Sequence, residues 1–197
     1  MINYDEKEYE NAVAFTGEYP KLPAGGYICK IIGSKVEKSK KGNDMLVLAL
    51  DIAEGDYKEF YKKQYDERAK TATPNKLAKY PNNAVLRAVL QGENWINRFK
   101  GIITAIENSN EGFNWKNCKG DETKLKDLIV GAIFREEEYE KLDGSIGTSV
   151  KIYQLRSANK IRNGEYTTPE IKKLPQKGEA FEDFINSVDN DNDVLPF

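Results

Sequence analysis

Aromatic and basic side chains are interleaved along 57-YKEFYKKQY-65. Read as an extended strand, Tyr57, Tyr61 and Tyr65 share one face with Lys63, and Phe60 lies opposite with Lys58 and Lys62. Aromatic rings stack on unpaired bases of any sequence and lysines follow phosphates, so this pattern is that of a platform for a single strand of nucleic acid. Rings on one face alone are more simply explained as core. Two faces of one sheet cannot both be core, so some of these rings are expected at the surface. Lys30 and Lys35 in an earlier strand, and Lys151 and Arg156 in a later one, are candidates to extend the basic surface.

Catalytic chemistry finds little support. The chain has no histidine, which removes imidazole bases and Cys/His zinc sites. Metal-dependent hydrolysis needs convergent carboxylates, whereas the acids here fall in turns, at the ends, or in the run Glu136-Glu137-Glu138, which reads as a solvated strand edge. The glycine-bearing 144-GSIGTS-149 joins two strands and reads as a hairpin rather than a phosphate loop. We therefore expect no enzyme, no cofactor and no metal. Cys29 and Cys118 have no metal spacing and form no disulfide framework, which suits a reducing cytoplasm.

The charge is unevenly distributed. Residues 178–197 hold six acids and no base, and residues 1–20 hold five acids and one lysine; 21–177 carries 29 basic against 21 acidic residues, a formal +8. A basic body between acidic ends suggests a polyanion partner. With 197 residues, 39% of them hydrophobic, the chain can bury one sizeable core. No apolar run approaches a membrane span, and the acidic N-terminus is unlike a signal peptide.

The elements that must hold these residues follow from periodicity. The segment 25-GGYICKIIGSKVEK-38 is a long strand with a bend near Gly33, and 39-SKKGND-44 is a turn. In 45-MLVLALDIAEG-55, Leu46, Leu48, Leu50 and Ile52 alternate with Met45, Val47, Ala49 and Asp51, marking a central strand. A tight turn leads to the third strand at 57–65, completing a meander. Residues 66–93 form a long excursion with one helical turn at 84–90. Over 94-NWINRFKGIITAIENSN-110, Trp95, Ile96, Phe99, Ile102, Ile103 and Ile106 form a wide helical stripe that Asn94 can cap; Trp95 belongs to that stripe rather than to a stacking site. Strands at 127–140 and 148–157 flank the turn 141–147. The expected fold is mainly β with one principal helix. Three strands, a helix and two strands is the connectivity of an OB-fold-like five-stranded barrel, a fold used repeatedly for oligonucleotides, with an acidic C-terminal tail. A generic α+β sheet of the same order is the alternative. The expected division is an acidic extension over 1–22, a nucleic-acid-binding domain over 23–177 and the tail over 178–197.

The segments 23-PAGGYICKI-31, 50-LDIAEG-55, 60-FYKKQY-65, 98-RFKGIITAIENSNEGFNW-115, 135-REEEYE-140 and 155-LRSANKIRNGEY-166 resemble a family encoded by bacteriophages of Gram-positive hosts, long described as a domain of unknown function and often as a phage single-stranded DNA-binding protein. The resemblance runs from about Pro23 to Leu174. It implies a replication or recombination accessory protein and supplies no contact residues.

The last residues, 189-DNDNDVLPF-197, resemble the acidic tip of bacterial single-stranded DNA-binding proteins. Asp189, Asp191 and Asp193 keep such a segment unfolded and attract a basic rim. Val194, Leu195 and Pro196 lead to Phe197, whose ring fills an apolar pocket and whose carboxylate pairs with a cation. Just before the tip, Phe181, Phe184, Ile185 and Val188 have the spacing of one face of a short helix over 179–188. The expected partners are single-stranded DNA, held by the body, and replication, repair or recombination proteins, recruited by the tip; self-association is left open. The competing reading is an adaptor or decoy that imitates the tip without binding DNA.

Overall fold

The computed structural model describes residues 3–11 and 21–175, apart from 71 and 75. The helix expected at 179–188, the tip at 189–197 and most of the N-terminal extension lie outside the described residues. After a short helix α1 (Glu6–Asn11), the chain forms strands β1 (Gly25–Lys38) and β2 (Asp44–Ile52), then helix α2 (Phe60–Lys70). Next come strand β3 (Val85–Val89), helix α3 (Trp95–Glu107), strands β4 (Ile129–Glu140) and β5 (Ile146–Arg156), and helix α4 (Ala158–Arg162). The five strands form one antiparallel sheet in the order β3-β2-β1-β4-β5. No ladder joins β3 to β5 among the described residues, so the sheet is not closed into the expected barrel.

Local pattern and structure agree over the β1–β2 hairpin. The bend in β1 is a bulge between Ile31 and Gly33. Ser39 closes the turn through its hydroxyl, which accepts from Asn43 N at 3.1 Å, with Gly42 left-handed at φ 82°. Leu46, Leu48, Leu50 and Ile52 all face the core and are essentially inaccessible. They meet Cys29, Ile31, Val130, Phe134, Leu125 and Ile106 there. A smaller cluster on the opposite side of β1 and β4 packs Ile28 and Ile133 beneath Ala158 and Ile161 of α4.

Two elements depart from the sequence pattern. Residues 57–65 are not a third strand: the chain turns through Gly55 and a left-handed Glu59 (φ 61°) and then forms α2. Tyr57, Phe60, Tyr61 and Tyr65 stand at i, i+3, i+4 and i+8, so the rings satisfy a helical period as well as an alternating one. The buried carboxylate of Asp51 decides between them by accepting from Tyr61 N at 3.0 Å, within the first turn of α2. The third strand is instead β3, inside the excursion where a helical turn was expected. Five residues are too few to hold a helix alone, whereas V-L-R-A-V finds a ready edge in β2, pairing Leu48 with Leu86 and Val47 with Arg87. The tight meander is therefore interrupted by α2.

Helix α3 spans the strongest periodic segment and buries Ile103, Ala105 and Ile106. Trp95 packs at a tilt on Phe99, and Phe99 edge to face on Trp115, with ring centroids 6.4 and 5.7 Å apart. Two expectations fail at its start. Ile96 is 53% exposed, outside the stripe, and Asn94 sits in the left-handed region (φ 57°) without capping through its side chain. After α4, Tyr166 lies over Gly26, where a Cβ would come within 2.6 Å of the ring. The chain then pairs with the free edge of β4, Lys172 N donating to Glu136 O and Glu138 N to Lys172 O, both at 2.9 Å.

Candidate functional site

Helix α2 turns the expected stacking platform into a wall of the core. Tyr61 is 2% exposed and stacks on Phe134 at 6.1 Å. Tyr57 and Phe60 are half-buried and meet Tyr27 and Tyr61 edge to face. Tyr65 leans on Tyr80, whose hydroxyl donates to Leu50 O at 2.9 Å. Burial and the neighbouring Tyr57 and Tyr166 push the Tyr27 hydroxyl up to about 12. None of these rings forms an open stacking face on a strand. The lysines of the segment do point outward, but Lys62 is held by Asp66 at 2.6 Å, which raises its pKa, and Lys63 donates to Lys58 O at 3.3 Å.

The four outlying cations are scattered across the sheet. Lys30, on β1, pairs with Asp127 at 2.8 Å, and the bond holds the Asp127 carboxyl below its usual range. On β4–β5, Glu137 accepts from Arg135 at 2.7 Å and from Lys151 at 3.2 Å, so Lys151 is neutralised locally. Arg135, chiefly, with Lys151 behind it, keeps the Glu137 carboxyl below its usual range. The Arg135 guanidinium also lies 4.5 Å over the Tyr153 ring. Arg156 stands opposite Gly131 at the end of the β5 edge strand.

Lys35 is the one candidate brought beside a new cation. Because Leu46 and Leu48 face the core, Val47 between them lies on the opposite face, where it is itself covered (6% exposed); its partners across the ladders, Lys35 on β1 and Arg87 on β3, share that face and are exposed. The two cations therefore flank Val47 in one row across three strands, roughly 10 Å apart at ordinary strand spacing. Arg87 is exposed and makes no ion pair among the described residues; Lys35 makes only a surface pair with Glu37. Lys40 and Lys41 are exposed on the adjoining turn. Arg87 was missed because it lies in the excursion read as lacking strands; its V-L-R-A-V setting was the available signal.

A cleft of about 630 Å³ opens where β3 and β5 fail to meet. Its walls are the segment before β1, from Lys21 to Ala24, α2, through Phe60, Tyr61 and Gln64, the turn before β3, through Asn83, and the β4–β5 hairpin, through Glu136, Tyr139 and Val150. Glu136 is two residues from the fully buried Phe134 and so shares its inward side, opposite Val150. Its carboxylate accepts no side-chain hydrogen bond or ion pair among the described residues, and neither the Gln64 nor the Asn83 amide is engaged there. Among the described residues there is no group of three or more His, Cys, Asp or Glu that could hold a metal ion, and no helix is long and apolar enough to cross a membrane.

Neither the protein-family models nor the curated proteins compared with the chain give a match.

Proposed function

We propose that this chain binds single-stranded DNA and serves phage replication or recombination, with the outward face of β1–β2–β3 as its phosphate-tracking surface. The observation that carries this reading is the row Lys35–Val47–Arg87 across three paired strands. The topology supports it. The order β3-β2-β1-β4-β5, with the principal helix between β3 and β4, is the order an OB-fold would present if opened along its β3–β5 seam, and in OB-folds the β2–β3 face takes oligonucleotides. The surface pair of Lys35 with Glu37 costs little to exchange for a phosphate. The aspartates and apolar end of 189–197 then serve as the partner-recruiting tip, and 178–197 competes weakly with DNA for the basic face.

The test is titration of oligo-dT and a duplex of equal length at two salt concentrations. Single strands are expected to bind more tightly, with affinity falling as salt rises. Lys35→Ala and Arg87→Ala are each expected to lower affinity and reduce the salt slope by about one. Removing 178–197 is expected to leave binding intact or strengthen it. A truncated chain that ignores oligo-dT at low salt overturns the proposal, and the adaptor reading takes its place.

A further inference from the structure

The row of cations explains phosphate contact but not why a single strand is preferred to a duplex. The cleft at the β3–β5 seam offers what the row lacks. We propose that it receives one unstacked base of the bound strand and prefers guanine; this deepens, and rests on, the single-strand reading.

The argument begins with position. Arg87 ends the row on the β3 edge, and Asn83, which lines the cleft, is four residues earlier, in the 3-10 turn Asn82–Ala84 that leads into β3, roughly 11 Å away at the rises of such a turn and a strand. A strand crossing β1, β2 and β3 in turn reaches the β3 edge at Arg87 and enters the cleft by turning over that edge, since the row lies on the outward face and Glu136 on the inward side. The volume, about 630 Å³, falls within the range of small-molecule sites. Phe60 and Tyr139 supply aromatic surface for a planar ring, and Tyr139 is 42% exposed, as a residue at the mouth must be.

Chemistry then selects the base. Pockets for extruded bases read the pairing edge by hydrogen bonds while aromatic groups hold the ring. Among the described residues Glu136 supplies the lining's one carboxylate, on the inward face of β4 between Phe134 and Glu138 and opposite Val150. An ionised carboxylate accepts and cannot donate. Guanine alone presents two adjacent donors, N1–H and N2–H, on its pairing edge, which suit the two oxygens of a carboxylate. Adenine and cytosine each show a ring nitrogen acceptor there, and thymine two carbonyls, which a carboxylate repels. Gln64 and Asn83, each a donor and an acceptor, can satisfy the remaining O6 and N7.

The experiment compares the full-length chain on a dT oligonucleotide and on the same oligonucleotide with one central dG, by fluorescence titration, alongside Glu136→Gln and Gln64→Leu. The dG strand is expected to bind about fivefold more tightly, with Glu136→Gln abolishing the difference; Gln64→Leu, at a half-buried helical position, reduces the difference. Melting curves of both variants check the fold. Equal affinity for the two strands in the wild type overturns the guanine cleft and leaves the single-strand reading standing. A preference that survives Glu136→Gln also overturns it. Failure of both strands to bind overturns the single-strand reading and the cleft with it.

Discussion

The side-chain amide of Asn110 brackets the backbone of Ile129, donating to its carbonyl at 2.7 Å and accepting from its N–H at 2.9 Å. The same Nδ2 also donates to Ile106 O at 2.8 Å. Ladder pairing of β5 with β4 begins only at Gly131, opposite Arg156, so Asn110 stands in for a strand residue at the first position of β4. Its neighbours do related work: Ser109 Oγ accepts from Ala158 N at 2.9 Å, and Glu107 Oε1 accepts from Trp115 N at 2.9 Å. The E-N-S-N stretch Glu107–Asn110 thus ties the end of α3 to β4, α4 and the following turn. Its role is architectural.

Asn110→Ala is expected to destabilise the chain by about 2–3 kcal/mol, because three hydrogen bonds go and two backbone groups of Ile129 lose their partner. Asn110→Asp should be worse, since a carboxylate would face the carbonyls of Ile106 and Ile129. Urea unfolding measures both. A loss below about 0.5 kcal/mol for the alanine variant would show that water replaces the amide.

Asp51, 5% exposed, accepts from Ile52 N at 2.9 Å and Tyr61 N at 3.0 Å, joining the end of β2 to the start of α2. Asp51→Ala is expected to cost about 0.5–2 kcal/mol, the range for a lost helix cap. Burial raises the Asp51 pKa despite the opposing effect of these N–H donors. With the folded pKa above the unfolded one, this group's contribution is present below the unfolded pKa and lost as pH rises through the folded pKa. Asp51→Asn keeps an acceptor without the charge. Wild type should lose stability relative to Asp51→Asn as pH rises through the carboxylate range; the opposite slope in parallel unfolding curves would refute the assignment.

The Tyr61 hydroxyl is buried and makes no hydrogen bond among the described residues, and burial pushes its pKa far up. Tyr61→Phe removes that desolvated group while keeping the ring on Phe134, so a gain of about 1 kcal/mol is expected. Tyr61→Ala should cost about 3–5 kcal/mol, as for other large aromatic truncations. Comparison of the two by chemical denaturation separates hydroxyl from ring. Phenylalanine lowering stability would mean that the hydroxyl has found a partner.

Gly131 marks the closest approach of β4 to the β5–α4 corner. A Cβ there would lie 2.5 Å from Ile161 Cγ1 and 2.8 Å from Ser157 O. The second neighbour is backbone and cannot swing aside, so Gly131→Ala should cost about 1–3 kcal/mol. Ile161→Ala in the same chain should relieve only the side-chain part of that clash. A double-mutant cycle showing complete relief would locate all the strain at Ile161.

Periodicity within single segments was enough to identify β1, β2, β4, β5 and α3. Each has its own signal, such as the leucines at 46, 48 and 50 or the isoleucines at 102, 103 and 106, and each buries a face that those residues alone define. Where two periods fit the same residues, sequence could not choose. Tyr57, Tyr61 and Tyr65 lie on one face of a strand and also close to one face of a helix; the choice fell to Asp51, whose carboxylate reaches the first turn of α2 only after β2 is in place. Val85–Val89 is a strand because β2 offers an unpaired edge, a property of the sheet and not of five residues. The proposed binding surfaces belong to the same class. Lys35 and Arg87 are 52 residues apart in sequence, and Gln64, Asn83 and Glu136 lie on three separate elements. Strand pairing and helix docking bring them together, and those are long-range relations that no local period encodes.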